Sequence, residues 1–459
     1  MRPRGLTLIS YTLAVIIFVV VSTYAILYAV GYKLNWQTWE LKKTGFILIE
    51  SYPRGANINL SGKDIGRTTP ATIKRLLPED YEVRLTKDGY RLWQGNITVQ
   101  SGLVTEQRNV LLTMQDWQSE VLVDQTITAL MGNADNTRIA YTTKNEIWLW
   151  DPRNKKAAVV ANAALIKQQV KDANINDITR GTLELINFAP DNQALLFRST
   201  SYRNQYYLTV DTGGGVIKSV TTGRLLTNWG WWNNNELVFQ QANKVSLINI
   251  ATQKITPLAT GIGDYRLQDN SLYFTIKNKT GQTVLAQLDK NGVVKEEIAV
   301  LPSAQIYAFG RIKNNWLLIS TTNKLSSIWL AERTDGQVTW KLLADKVKSR
   351  VLWDDKYLIY KQGEKLTVVE WEKLTLPRPI AELHGGELIH FSFDTILYWE
   401  NKTLKSIDLT GSNQYDLVAL SAPGEFIISE SQMSKLILID AQTRQLIEAT
   451  LRDKTSLFF

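Results

Sequence analysis

Hydrophobic and polar positions alternate in three successive regimes along this chain. From Gly5 to Tyr32 no residue is charged. As a helix this run would span about 42 Å at ~1.5 Å per residue, more than the ~30 Å hydrocarbon core of a bilayer. It exceeds the ~7–15 apolar residues of a cleaved secretion signal, and no small-x-small cleavage site follows. The pattern predicts a cytoplasmic stub and transmembrane signal anchor over residues 1–32, then a juxtamembrane linker over 33–44. Arg2 and Arg4 precede the span, while Lys33, Lys42 and Lys43 follow it, with Glu40 offsetting one of these. The nearest charges favour a cytoplasmic N-terminus and an extracytoplasmic remainder in a single-pass cytoplasmic-membrane protein. Tyr28, Tyr32, Trp36 and Trp39 suit an aromatic belt at the far interface, or packing against the next domain.

After Lys43 the period becomes two. "FILIESY" and "DYEVRLT" read as strands; "ANINL" places Ala56, Ile58 and Leu60 on one face and Asn57 and Asn59 on the other. "SGKDIG" and "KDGY" are turn signals. About six short strands in 45–113 predict a small antiparallel β-sandwich. The stretch "SYPRGANINLSGKDIGRTTP" reads as corners of that sandwich rather than a ligand cradle, because no helix start follows it.

These residues also carry a family resemblance. Pro53-Arg54-Gly55-Ala56 resembles the Pro-Glu-Gly-Ala signature of the PEGA domain, with Arg54 in place of Glu. Gly62 and Gly66, then Thr69-Pro70, then Gly89-Tyr90, follow in the order the family shows. The resemblance covers 45–113 and implies a β-sandwich module of bacterial envelope and surface-layer proteins, with these residues structural and without known catalysis.

From 116 onward an apolar strand after an Asn/Asp-rich turn recurs, as "TRIAYTT", "QALLFRS", "ELVFQQ", "SLYFTI", "NWLLIS", "KYLIYK", "TILYWE" and "EFIISE". A second strand follows each, several ending on an acid: Asp151, Asp211, Asp289, Asp408 and Asp440. The spacing is near that of a four-stranded propeller blade, roughly 40–50 residues. The expectation is a mainly β protein ending in a β-propeller over 116–455, with eight blades preferred and seven plus an irregular unit as the alternative. "DWQSEVLV" (116–123) is the candidate outer strand closing the ring, which protects strand edges. "FAPDNQALLF" resembles the strand–turn–strand of Tol-type and WD-like propellers in architecture only. Residues 163–182 favour a short helix inserted on one propeller face.

Composition adds exclusions. The 459 residues include no cysteine and two histidines, His384 and His390. That removes disulfides, thiolate nucleophiles and Cys-ligated metals. The formal charge is +8, but Lys and Arg are dispersed, unlike the concentrated footprint of a nucleic-acid binder. No HExxH, nucleophile elbow, phosphate loop or EF-hand loop occurs. No catalytic, metal or cofactor-binding residue is therefore assigned. "NWGWWNNNE" (228–236) supplies the candidate ligand-binding residues Trp229, Trp231, Trp232 and Asn233, since aromatic faces beside amides suit sugar rings; packing between blades is the competing and favoured reading.

The functional expectation is a non-enzymatic, membrane-anchored extracytoplasmic binding or scaffold protein of a bacterial envelope. It would contact the bilayer through residues 5–32 and a protein or glycan through propeller loops, with no nucleic-acid partner. An envelope enzyme with carboxylates at the propeller centre, and an accessory subunit of a membrane sensory or assembly complex, are the alternatives.

Overall fold

The computed structural model describes residues 4–451 apart from 37, 117, 203, 224, 269–270, 289–293, 303–305, 313–314, 335–336, 355, 372–374, 393, 420–425, 429–433 and 441. Arg2, Asp289, Trp117 in the 116–123 strand, residues 425, 429 and 430 of the 425–430 element and residues 452–455 therefore lie outside the described residues.

The uncharged run forms one helix, Arg4–Ala29, long and apolar enough to cross a membrane. Its large side chains, Ile16, Phe18 and Val20 among them, stand exposed. The turn after the helix ends at Gly31, whose carbonyl accepts from both the backbone N–H and Oγ1 of Thr44, each at 2.8 Å. The expected linker is instead a hairpin, Tyr32–Asn35 paired with Glu40–Lys43. Trp36 and Trp39 sit exposed at its tip, edge to face at 5.7 Å. Tyr28 turns to the next module: its hydroxyl accepts from Arg75 Nη1 at 2.6 Å, and the Arg75 guanidinium lies 4.1 Å from the ring centroid.

The small β module has two sheets. One orders Ala71–Leu76, Gly45–Tyr52 and Val104–Leu111; the other orders Lys63–Thr68, Asn57–Leu60, Asp80–Thr86 and Trp93–Thr98. The strand alternation buries Ile47, Ile49, Ile58, Val83, Leu85 and Trp93 between them. The sandwich is not wholly antiparallel, because Gly45–Tyr52 and Val104–Leu111 run parallel. Both begin beside the helix and end beside the propeller, which the chain enters directly after Leu111. Gly95 is required by packing: a Cβ there would lie 2.6 Å from the Trp93 ring.

The remaining strands make eight four-stranded antiparallel sheets. In chain order they occupy 129–162, 182–222, 226–260, 262–300, 306–347, 352–382, 387–419 and 426–450, the last completed by Gln118–Val123. Each successive pair shares its own buried cluster, and the eighth blade packs on the first through Ile437, Ile439 and Leu446 against Ile139, Tyr141 and Trp150. The chain is a mainly β protein with an eight-bladed propeller.

In seven blades the two recurrent elements are the second and third strands. In the eighth they are the first and second, since Leu446–Thr450 is third and Gln118–Val123 fourth. The closure carries a clasp. Lys155 of blade 1 bonds Glu120 at 2.5 Å and lies 3.9 Å from Glu448, which directly faces Glu120 across the ladder. Lys435 pairs with the same Glu448, 3 % exposed. The cations offset the like-charge cross-strand pair. Arg444 adds bonds to the carbonyls of Ile127 and Thr128.

The insertion forms two short helices, Ala163–Gln169 and Ile175–Ile178, the first capped by Asn162 Oδ1 accepting from Leu165 N. It does not lie on a propeller face. Ile166, Val170 and Ile178 are buried in the cluster shared by blades 1 and 2, so the insertion is a wedge between them.

Candidate binding site

A central cavity of about 760 Å³ is walled by the first strands of blades 1 to 5. Asn187 organises one side: its Nδ2 donates to the Trp229 carbonyl at 3.1 Å and its Oδ1 accepts from Trp231 Nε1 at 2.9 Å. Trp229 stacks between Tyr207 and Phe239, at 4.5 and 4.9 Å between centroids, and its buried Nε1 has no hydrogen-bond partner. Arg266 donates to the Phe309 carbonyl at 3.0 Å and lies 5.9 Å from the Trp353 ring; burial lowers its pKa. Asp264 is the one carboxylate among the described lining residues. The wall thus offers a cation and a carboxylate beside largely buried aromatic rings, which suits binding by polar contact.

Of the four candidate residues, Trp229 and Trp231 reach this cavity and Trp232 and Asn233 do not. Adjacent strand residues point to opposite faces, so Trp231 enters the cluster shared by blades 2 and 3, and Trp232 that of blades 3 and 4. They are 8 % and 6 % exposed. Asn233 lies in the hairpin turn, donating to Glu236 at 2.6 Å and accepting from Asn235 N at 2.8 Å. Asn187, on the first strand of blade 2, and Asp264 and Arg266, on that of blade 4, carry no local motif in the sequence.

The signature residues of the small module clasp one another. Gly55 N donates to the Thr69 carbonyl (2.8 Å), Thr69 N to the Ala56 carbonyl (2.9 Å), and Ala56 N to Thr69 Oγ1 (3.1 Å). Ser51 Oγ donates to the Pro53 carbonyl, and Pro53 and Pro70 both follow cis peptide bonds. Gly55, Gly62, Gly66 and Gly89 have positive φ, and Tyr90 is buried, bridged to Met114.

A second cavity, about 510 Å³, opens where this module meets blades 6 and 7. Trp93 Nε1 donates to Asp408 at 2.9 Å, Asn413 bonds both backbone groups of Gln94, and Tyr415 donates to the Leu92 carbonyl at 2.5 Å. Burial pushes the Asp394 carboxyl in this cavity up to about 6, against the pull of Lys356 and with help from Asp354 and Asp408. Its folded pKa lies above its unfolded value, so its contribution is most favourable below about pH 4 and is lost as pH rises through about 6. Asp394→Asn, tolerated at φ +53, is expected to stabilise the protein by roughly 2 kcal/mol at pH 7 and not at pH 4, checked by denaturant titration at both.

Comparison with known proteins fits this architecture. Residues 44–113 match the model of the PEGA domain. The propeller is similar in fold to a structure titled as the eukaryotic initiation factor, at 15 % identity and TM-score 0.50, covering 71 % of this chain and 85 % of that one. Dipeptidyl peptidase 4 of Porphyromonas gingivalis aligns at 9 % identity and TM-score 0.49, over 72 % of this chain and 59 % of that one. The Dos1 propeller aligns at 11 % identity and TM-score 0.47, over 74 % and 95 %. A search of curated proteins finds no match. The PEGA match agrees with the signature and strand order read from the sequence, and the mainly β, propeller-containing architecture agrees with the repeats.

Proposed function

We propose that the protein is a membrane-anchored scaffold of a bacterial cell envelope, with its N-terminus cytoplasmic, that holds a propeller outside the cytoplasmic membrane to bind a protein or glycan. The supporting observation is the bonded continuity from helix to ring. Thr44 and Arg75 tie the PEGA module to the helix end, and Trp93, Gln94 and Leu92 tie it to blade 7. A ring so coupled keeps one orientation to the anchor. Among the described residues lining the central cavity Asp264 is the one carboxylate, so the binding reading is preferred to one that needs a carboxylate pair.

The cysteine-free sequence permits a direct test. Tyr202, 99 % exposed in a turn of blade 2, is replaced by cysteine and intact cells are treated with a membrane-impermeant maleimide. Labelling without lysis is expected. Labelling only after lysis would overturn the assigned orientation.

A further inference from the structure

In an antiparallel blade, the turn between second and third strands and the crossing to the next blade share one end. The PEGA module occupies the opposite end, bonding Asp408 and Asn413 in the turn between third and fourth strands of blade 7. The far end is therefore open. Its second-to-third turns carry six exposed lysines: Lys144, Lys244, Lys279, Lys324, Lys365 and Lys402, on blades 1, 3, 4, 5, 6 and 7. Among the described residues none of the six forms a salt bridge.

At two of the six, turn chemistry does not account for the lysine. Asn323 and Lys324 have φ +52 and +64, and Asn401 and Lys402 have φ +48 and +67. Such paired left-handed residues favour Asn-Gly, so each Asn is explained and each Lys stands where Gly would be less strained. The near-end acids differ: Asp151, Asp191 and Asp211 each accept a backbone N–H two residues ahead, which is a turn-forming role. Exposed asparagines precede Lys244, Lys324 and Lys402, placing an amide beside each ammonium.

We propose that this far face binds an anionic polysaccharide, its lysines pairing with the repeated charges and the adjoining amides with hydroxyls. The proposal rests on the scaffold reading and names its ligand class. Charges on six separate blades match an extended polymer rather than a small anion, and lysine as a point charge accepts either carboxylate or sulfate. A bilayer is disfavoured as the occupant: strands 45–52 and 104–111 both lead from helix to ring, a spacer of about 26 Å at ~3.3 Å per residue, and the lysines crown the side beyond it.

The test uses the full chain in nanodiscs of zwitterionic lipid, titrated with fluorescent dextran sulfate and with uncharged dextran. Dextran sulfate is expected to bind, with affinity falling as salt rises. Changing all six lysines to Gln should weaken binding roughly 30-fold or more, about twofold each, whereas Lys156→Gln, Lys218→Gln and Lys254→Gln together, at the near end, should change it less than about twofold. Equal loss from the two sets, or none from the six, overturns the assigned face. Polyglutamate or duplex DNA bound as tightly as dextran sulfate at matched charge overturns the polysaccharide assignment, as does tighter binding to anionic vesicles. The maleimide experiment reads orientation independently, so dextran sulfate binding that depends on the six lysines would survive a failure of the anchor assignment.

Discussion

Replacing Lys435 with Met is expected to destabilise the protein by about 3 kcal/mol, because it leaves Glu448 buried without its nearest cation. One carboxylate oxygen of Glu448 already lacks a partner, and Lys155 at 3.9 Å is a distant substitute. The site is the ring closure, where Gln118–Val123, arriving from the PEGA module, pairs with Leu446–Thr450. Loss of the clasp therefore weakens the joint in which a blade is assembled from both ends of the propeller sequence. The double change Lys435→Met, Glu448→Leu should recover most of the loss, since removing both charges removes the desolvation cost together with the attraction. Denaturant midpoints of the two variants, compared with wild type, provide the measurement. A double variant no more stable than the single would contradict the argument.

Trp93→Ala is expected to cost about 3–5 kcal/mol, the usual range for truncating a buried aromatic. Trp93 is 3 % exposed in the PEGA core while its Nε1 reaches Asp408 of blade 7, so one side chain both fills one module and joins it to the next. Trp93→Phe separates the two roles. It keeps most of the packing and gives up a hydrogen bond to a carboxylate, about 2 kcal/mol. Calorimetry should then show the PEGA transition shifting strongly with Ala, and modestly with Phe while the propeller transition moves away from it. Identical traces for the Phe variant and wild type would show that the Asp408 bond does not couple the modules.

The repeats were legible because each blade must supply its own apolar second and third strands, and these stand in the sequence as short apolar runs bounded by turn residues. Leu195, Leu196 and Phe197, or Ile396, Leu397 and Tyr398, are buried on both faces between neighbouring blades, so they are continuous rather than alternating. The PEGA module was legible for a related reason: its P-x-G-A and T-P segments bond each other, and their residue types are dictated by backbone conformation. The position of the 163–178 wedge is not legible, because a seven-residue helix with Ile166 inward looks, in sequence, like a polar surface insertion. The candidate site was the least legible part. Trp231 and Trp232 are adjacent in the chain yet separated by the thickness of a sheet.

The sequence by itself determined the apolar helix, the β-strand content, the PEGA signature and the blade period, because these depend on contacts within some tens of residues. Tertiary structure alone decided which dispersed residues become neighbours. Asn187, Trp229 and Arg266 meet at one cavity, and lysines separated by whole blades meet on one face, because a ring returns the same turn to the same end once per repeat. Linear spacing records that return only as scattered charge. Closure of the ring is what turns it into a surface.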